Sequence, residues 1–556
     1  MVARIGLLAF ALISMTMGNA QVKSGDTPNS WKGNTLSKRS IAPVVLKEFD
    51  LVKLKEEDVI NDLDKSIPWR FGHELEVNYG LQNSGVWDEL PNGKGRIWRI
   101  NIVSKGARTL NFIFDSYYLP KGATLYIYND DRSDLLGAYT DVFNNPDEAL
   151  GTWTVEGESI WMELFEPSKE RGKGKLNISK VVHGYRSITD AEIRQKLVGF
   201  GDSGPCNYDV NCATGSDFDP IKDKLKHAVA RVITGGSVCS GTLVNNTAND
   251  ASLYFLTANH CRGADESLWA FRFNWISRVT SCGTLDESED TEENQTTSRA
   301  ILLASNVESD FKLLKLDGGV DPSWDLEWAG WDRREVDPSY TIGIHHPVGD
   351  IMKVCRSNSA LGTYRGLIGS DIPDPINCWV VQQWDFGVTE GGSSGSGLFD
   401  PSGRIVGQLS GGGAQCAGIV NNGASDFYGR FDTSWDFGTT DDSRLSNWLD
   451  PLNTGRETLD MLSIEKPDGT PLPPKDEVIV FFKSSNSTLN IVNDSDKTLR
   501  FIIYDMLGQQ LNAGQLSKET QEIEMGNASS GMYFVHIKNV NSNASFTKKV
   551  MVGNTM

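Results

Sequence analysis

All eight cysteines of this 556-residue chain lie between Cys206 and Cys416, and the segments on either side contain none. An even number of cysteines confined to one region indicates disulfides there and an oxidising destination. No two of them form a CxxC pair, which makes a structural zinc site a poor alternative. The length allows three or four domains, and the cysteines mark one in the middle.

The N-terminal residues have the pattern of a secretory signal peptide. Arg4 precedes an apolar run from Ile5 to Met17, and small residues follow up to Ala20. A cation, a short apolar stretch and small residues are the parts of such a peptide, so we expect cleavage after Ala20. A transmembrane helix needs about 20 apolar residues, and no such run occurs elsewhere. We therefore expect a secreted protein without a transmembrane segment.

Charge excludes one class of partner. The chain has 53 Lys and Arg against 73 Asp and Glu, a formal charge of -20. Nucleic-acid binding relies on cationic side chains that displace counterions, so we expect no nucleic-acid partner. The acidic run from Asp286 to Glu293 lacks the spaced ligands of a calcium loop and is interpreted as a solvated loop. We expect no metal site and no required cofactor.

Alternating apolar segments predict an all-β protein in several parts. Residues 21–196 begin with a polar, weakly periodic stretch up to Asp64 and continue as short alternating strands that predict a β-sandwich, and no catalytic constellation is found in them. Residues 197–462 carry many short strands and a single convincing helix near Ser443–Leu449. A Pro-rich linker is expected over 463–477 because prolines favour extended chain. Residues 478–556 alternate again and predict a small β-sandwich.

Three stretches of the middle part contain candidate catalytic residues. His260 ends the sequence Leu-Thr-Ala-Asn-His after a strand-like segment, and imidazole is a suitable proton acceptor at neutral pH. Ser394 lies in a Gly/Ser-rich turn, where backbone N–H groups can approach a carbonyl oxygen. Asp310 precedes the apolar strand Phe311–Leu316 and could hold the imidazole tautomer. Their order, His, Asp, Ser, is that of chymotrypsin-type peptidases.

With these motifs, the chain from about Gly204 to Leu462 resembles the lysyl endopeptidases within the trypsin-like serine peptidases. The resemblance rests on the stretches 241–247, 255–261, 309–316, 328–334, 344–347, 388–396 and 448–451. It implies a chymotrypsin-like double β-barrel with the site between the barrels. It also implies that Ser394 is the nucleophile, His260 the general base, Asp310 its orienter, and the Gly392 and Ser394 amides the oxyanion hole.

Eight cysteines allow 105 pairings, so the resemblance and not the spacing chooses among them. It implies the disulfides Cys206–Cys416, Cys212–Cys282 and Cys239–Cys261. Cys355 and Cys378 remain, and we expect them to form an extra bridge.

Asp426 matches the acid at the bottom of the family's primary specificity pocket. A buried carboxylate there favours a cationic substrate side chain, which predicts cleavage of proteins or peptides after a basic residue. Ser410 and Gly411 are expected to line the same site, but family members carry a His where this chain has Ser410. That His supports an aromatic residue from the region 363–379, and no residue is assigned to this role here. Lysine preference is expected, with trypsin-like Lys/Arg cleavage as the alternative.

The flanking segments are expected to serve maturation and export. A cut after Lys196 would release residues 21–196 as a propeptide that assists folding or blocks the cleft. The C-terminal part resembles the sorting domains of type IX secretion in Bacteroidota, on the stretches 501–510 and 530–537. The secretion machinery is then a partner and the protein is extracellular or at the cell surface. An inactive, protease-like adhesin or binding module is the alternative from another class.

Overall fold

Short β-branched and aromatic stretches separated by turns give this chain a largely β-sheet structure. The computed structural model describes residues 27–32, 41–91, 93–186, 203–285, 288, 295–463, 478–483, 488–493, 498–505, 509–517, 520–525, 531–540 and 545–552. It divides into two units, residues 1–463 and 464–556. The predicted signal peptide, the cut after Lys196 and the Pro-rich linker fall almost entirely outside the described residues.

The part of the first unit that precedes the cysteines forms two sheets around one apolar core. One sheet has the order β1-β5-β11-β7-β8 with β4 beside β5, and the other has the order β10-β6-β12-β3 with β9 beside β6. The strands are β1 (Val44–Val45), β2 (Trp69–Arg70), β3 (Gly72–Gly80), β4 (Val86–Glu89), β5 (Gly95–Val103), β6 (Thr109–Tyr118), β7 (Thr124–Asn129), β8 (Leu135–Tyr139), β9 (Leu150–Gly151), β10 (Val155–Glu156), β11 (Ser159–Pro167) and β12 (Lys175–Gly184).

A helix that the sequence did not reveal lies between β1 and β2. Helix α1 (Leu51–Asn61) starts at Asp50, whose side chain accepts a hydrogen bond from the Lys53 amide at 3.0 Å. Its apolar residues Val52 and Val59 are exposed. Because the helix has no buried apolar stripe, the usual helical periodicity is missing from its sequence.

The cysteine-bearing part contains two larger sheets. The first has the order β18-β17-β14-β15-β16-β20-β19, and β2 joins it beside β15; the second has the order β13-β24-β23-β27-β28-β31-β26-β25, with β22 beside β28 and β32 beside β22. The strands are β13 (Tyr208–Asp209), β14 (Val229–Ile233), β15 (Ser237–Leu243), β16 (Tyr254–Ala258), β17 (Ala270–Phe273), β18 (Gln295–Ser298), β19 (Ala300–Asn306), β20 (Phe311–Leu316), β21 (Glu327–Trp328), β22 (Gly330–Asp332), β23 (Thr341–His345), β24 (Lys353–Ser357), β25 (Gly362–Gly366), β26 (Ile376–Val381), β27 (Gly397–Phe399), β28 (Arg404–Gly412), β29 (Cys416–Ala417), β30 (Val420–Asn421), β31 (Asp426–Arg430), β32 (Thr458–Leu459) and β33 (Leu462–Ser463).

These two sheets are the barrels of the expected chymotrypsin-like fold and are called the first and the second barrel below, in the order given. The all-β prediction is confirmed. The helix expected near the end is present as α4 (Ser446–Leu449), but α2 (Asp219–Leu225) and α3 (Phe431–Asp436) were not anticipated. No helix among the described residues is long and apolar enough to cross a membrane.

The second unit is the expected small β-sandwich. Its sheets have the orders β34-β35-β38 and β37-β36-β39-β40 and enclose a separate apolar core. The strands are β34 (Val478–Lys483), β35 (Thr488–Asn493), β36 (Leu499–Tyr504), β37 (Gln510–Leu516), β38 (Thr520–Glu524), β39 (Gly531–Asn539) and β40 (Ser545–Val552).

Candidate active site

His260 and Asp310 meet because the strands beside them pair. His260 follows β16 and Asp310 precedes β20, and these strands are antiparallel with Ala258 opposite Phe311. The imidazole Nδ1 lies 2.7 Å from Asp310 Oδ2, and the His260 amide donates to Asp310 Oδ1 at 2.9 Å. Both side chains are buried, and His260 Nε2 has no hydrogen-bond partner among the described residues. A carboxylate on Nδ1 leaves Nε2 as the nitrogen that can accept a proton.

The second barrel holds Asp310 in position, which the sequence did not indicate. The Gln408 side-chain amide donates to the Ser309 carbonyl at 2.7 Å. Gly429 lies so close that a Cβ added there would be 1.8 Å from the same oxygen. Asp310 itself has a φ of 55°, in the left-handed region that residues other than Gly, Asn and Asp rarely adopt.

Ser394 lies in the turn before β27, and its loop is tied to the first barrel. The Ser240 amide donates to the Ser394 carbonyl at 2.8 Å, and the Ser240 hydroxyl donates to the Gly392 carbonyl at 3.0 Å. Gly392 has a φ of 87°. In the described part of the chain, no backbone carbonyl accepts a hydrogen bond from the Gly392 or Ser394 amide. Both amides therefore remain able to donate to a ligand in the cleft.

The hydroxyl of Ser394 does not donate to His260. It donates instead to the main-chain oxygen of Lys65, at 2.9 Å. Thus the structure joins His260 to Asp310, but the third member of the expected constellation is engaged with a residue far earlier in the chain. A carbonyl bond is about 1.2 Å long, so Ser394 Oγ lies no more than about 4 Å from the Lys65 carbonyl carbon.

Asp426 begins β31 and is fully buried, and the space in front of its carboxylate is called the Asp426 pocket below. Its Oδ2 accepts hydrogen bonds from the Trp384 indole N–H and the Thr389 hydroxyl, both at 2.7 Å. Its Oδ1 faces the ammonium of Lys65 at 2.5 Å. The carboxylate therefore offers one oxygen to a cation and uses the other to fix its own orientation.

The Lys65 ammonium is surrounded by acceptors. Besides Asp426, it donates to the Thr389 hydroxyl at 2.8 Å, the Ala414 carbonyl at 2.9 Å and the Thr389 carbonyl at 3.2 Å. Only 5% of the Lys65 side chain is exposed. No local pattern indicates this contact, since Lys65 and Asp426 are 361 residues apart.

Ser410 and Gly411 lie beside this pocket, on β28. Ser410 is buried, and its hydroxyl has no hydrogen-bond partner among the described side chains and backbone. A Cβ at Gly411 would be 3.6 Å from the Ser66 nitrogen and 2.8 Å from the Ile368 side chain. An aliphatic residue of the region 363–379 thus lies next to Gly411.

A neutral histidine supports the loop of Ser394. His345, at the end of β23, has its Nδ1 2.8 Å from the Ser393 hydroxyl. Burial lowers the pKa of His345, and the nearby cations Lys65 and Lys353 act in the same direction, so that together they bring it to about 3. His345 is therefore uncharged at neutral pH.

The structure contains the three disulfides that the resemblance implied, Cys206–Cys416, Cys212–Cys282 and Cys239–Cys261. The prediction of a fourth disulfide between Cys355 and Cys378 is wrong, because both cysteines are free and buried. Trp379 packs in the same apolar cluster as Cys355, whereas Cys378 packs with Ile368, Ile372 and Ile376. Successive residues of a strand point to opposite faces. Cys378 therefore points away from the cluster that contains Cys355.

Other sequence predictions cannot be placed. Ala20, Lys196 and nearly all of the acidic run 286–293 lie outside the described residues. Within the described ranges, no group of three or more His, Cys, Asp or Glu side chains is arranged to hold a metal ion.

Comparison with known proteins agrees with the motifs. Residues 200–429 match the family model "Lysyl endopeptidase, C-terminal domain", and residues 473–553 match "Secretion system C-terminal sorting domain". A lysyl endopeptidase of Pseudomonas aeruginosa is 28% identical over 396 residues, which are 65% of this chain and 79% of that protein. These matches support a serine endopeptidase that acts on proteins, and the sorting domain points to a secreted or cell-surface location.

Two solved structures were also matched, both of the Rv3671c protease of M. tuberculosis in an inactive form. They are 13% and 11% identical to this chain, cover 39% and 38% of it and 89% and 87% of the solved chains, and have TM-scores of 0.25. At that TM-score neither likeness bears on the assignment.

Proposed function

We propose that this protein is a secreted serine endopeptidase that cleaves after lysine. Residues 200–429 match the lysyl endopeptidase C-terminal domain, and residues 473–553 match the secretion sorting domain. The observation that carries the proposal is the pocket of Asp426, which holds a lysine ammonium among four acceptors.

The reaction is an acyl transfer. Ser394 Oγ attacks the carbonyl carbon of the substrate lysine while His260 Nε2 takes its proton and then passes it to the leaving amine. Asp310 keeps the imidazole in the tautomer with Nε2 free. The Gly392 and Ser394 amides stabilise the negative charge on the carbonyl oxygen, and one such donor is typically worth about 3 to 4 kcal/mol of barrier. Water then hydrolyses the acyl-enzyme.

The contacts of Asp426 favour lysine over arginine. A guanidinium binds carboxylates best through two parallel hydrogen bonds to both oxygens. Here Oδ2 already accepts from Trp384 and Thr389, so only Oδ1 is left to bind a cation, which in the structure is the Lys65 ammonium. The other acceptors, Thr389 and the Ala414 carbonyl, converge on a single nitrogen, which suits the compact ammonium. Trypsin-like cleavage after both Lys and Arg is thus the less favoured alternative.

The flanking segments complete the proposal. Residues 1–20 act as the signal peptide, residues 21–196 as a propeptide, and the C-terminal domain directs export by the type IX route of a Bacteroidota bacterium. A protease-like adhesin without activity is disfavoured because all three catalytic candidates are present.

Mapping of cut sites in a denatured protein mixture tests the proposal. The processed protein should cut after Lys, and the kcat/KM for a Lys peptide should exceed that for its Arg counterpart by roughly 10- to 150-fold, the value of a charged hydrogen bond of about 1.5 to 3 kcal/mol. Ser394→Ala should abolish cleavage and labelling by a serine-directed reagent. Ser396→Ala is the matched control, because the Ser396 hydroxyl has no hydrogen-bond partner among the described residues. Absence of labelling in the processed parent would instead favour the binding module.

A further inference from the structure

A short segment of the N-terminal part lies across the active site. Residues 64–70, called the Lys65 segment below, place the Lys65 ammonium on Asp426 and the Lys65 carbonyl against the Ser394 hydroxyl. The two contacts are made by one residue, at the two positions that a substrate lysine would occupy. The pocket and the nucleophile are therefore both occupied by the chain's own lysine.

The segment is fastened on both sides of Lys65. The Asp64 carboxylate accepts hydrogen bonds from the Ser66 hydroxyl and from the amide and hydroxyl of Ser370, each at 2.6 Å. The Ser66 hydroxyl in turn accepts from the Asp371 amide at 3.1 Å. On the other side, β2 pairs antiparallel with β15 of the first barrel, with Trp69 opposite Val238.

The sheets that follow the segment also dock on the catalytic part. The Ser298 hydroxyl donates to the Gly151 carbonyl at 2.8 Å, and a Cβ at Gly151 would be 1.9 Å from the Leu268 carbonyl. The apolar core of these sheets includes Ile233 and Val238 of the first barrel. Lys65 is thus delivered by a broad interface and not by a loose loop.

The peptide bond after Lys65 is held in a form that resists attack. The Ile67 amide donates to the Asp64 carbonyl at 3.0 Å, which closes a turn with Lys65 and Ser66 at its corner. Peptides that bind along a sheet edge do so in extended form. The Ser394 hydroxyl also directs its proton at the Lys65 carbonyl oxygen, the atom that the Gly392 and Ser394 amides must receive for catalysis.

We propose that Lys65 is an internal inhibitor, which fills the specificity pocket as a substrate lysine does while the turn at 64–67 withholds its peptide bond. This inference rests on the proposed function, because it assigns to the Asp426 pocket a regulatory occupant. The unprocessed chain is then inactive because its cleft is filled, although His260 and Asp310 are already paired.

Binding of a lysine peptide to the full, unprocessed chain tests this inference without requiring cleavage. The chain carries Ser394→Ala so that it stays intact, and a fluorescent peptide with one central lysine is titrated by anisotropy. We expect no binding to this parent and at least about tenfold tighter binding after Lys65→Met, which removes one partner of a buried charge pair. Lys53→Met is the matched control, since Lys53 lies on α1 with its side chain 72% exposed. Lys65→Gln replaces Lys65→Met if the melting temperature shows that the latter does not fold.

A third sample separates the two proposals. The Ser394→Ala chain is processed with a trace of active enzyme and freed of its N-terminal part before titration. If this form does not bind the lysine peptide, the proposed function fails and the inference fails with it. If it binds, two results overturn the inference alone: peptide binding by the unprocessed parent, or no gain of binding by the folded Lys65 variants.

Discussion

Asp426→Asn is the most direct perturbation of the specificity pocket, because the amide has nearly the shape of the carboxylate but accepts at only one of its two positions. In the structure both carboxylate oxygens face donors. If the side-chain NH2 group of the asparagine replaces Oδ1, it faces a lysine ammonium, which for Lys65 lies 2.5 Å from Oδ1. If it replaces Oδ2, it faces the Trp384 indole N–H, which can only donate, at 2.7 Å. In either orientation of the amide, one of the two donors, the lysine ammonium or the Trp384 indole N–H, loses its acceptor.

The size of the effect follows from burial. Asp426 is fully buried and the Lys65 side chain, which stands in for a substrate lysine, is 5% exposed, so solvent screens their attraction very little. Removal of one partner of a buried charge pair costs about 3 to 5 kcal/mol. At about 1.4 kcal/mol for each factor of ten, kcat/KM for a Lys peptide should fall roughly 100- to 4,000-fold. A peptide with Leu at the same position should lose far less, because it brings no charge into the pocket.

The assay compares kcat/KM for matched Lys and Leu peptides on fully processed protein, with the active enzyme counted by covalent labelling of Ser394. Asp374→Asn is the control, since Asp374 is exposed in the region 363–379 and should leave both values unchanged. If Asp426→Asn kept the parent's ratio of Lys to Leu cleavage, the assignment of the pocket would be refuted.

Two further predictions concern stability and positioning. The pKa of His345 is lowered to about 3, mainly by burial. Its contribution to the free energy of unfolding is therefore fully present above pH 6.5, the usual pKa of His, and is lost as the pH falls. The loss amounts to about 2 kcal/mol at pH 5. Urea unfolding at pH 8 and pH 5 should show this loss in the parent and not in His345→Asn; equal losses would contradict it. Gly429→Ala should displace the Ser309 carbonyl, destabilise the fold by about 1 to 3 kcal/mol and lower kcat by roughly 100-fold through the neighbouring Asp310. Gly413→Ala, whose Cβ would meet only the Ala424 side chain at 3.6 Å, should do neither, and full activity in Gly429→Ala would exclude the positioning role.

Local patterns were sufficient for the elements that carry the catalytic candidates. The apolar strand after Asp310, the strand before His260 and the hairpin after Ser394 are present as β20, β16 and the pair β27–β28. Each of these elements is specified by residues within about twenty positions of the candidate side chain. The sequence therefore indicates them without knowledge of the rest of the fold.

The remaining features depend on which distant residues meet. Thr389 and Trp384 become pocket residues only because their segments meet β31, and nothing in their own neighbourhood marks them. Cys355 and Cys378 could be matched by counting, but strand alternation sends them to different apolar clusters. Lys65 stands in a polar stretch where any lysine would be interpreted as a solvated residue.

Specificity and inhibition in this protein use the same contacts, those between the Asp426 pocket and a lysine ammonium. This shared use determines how activation must proceed. The acceptors that select a substrate lysine also hold Lys65, so a change that strengthens lysine binding strengthens both. While residues 64–70 belong to the same chain as the pocket, Lys65 binds there intramolecularly and is not lost by dilution. The expected cut after Lys196 breaks no contact of Lys65, but it turns a tethered competitor into one that dissociates and dilutes. Activity should therefore follow release of the N-terminal part and not the cut itself.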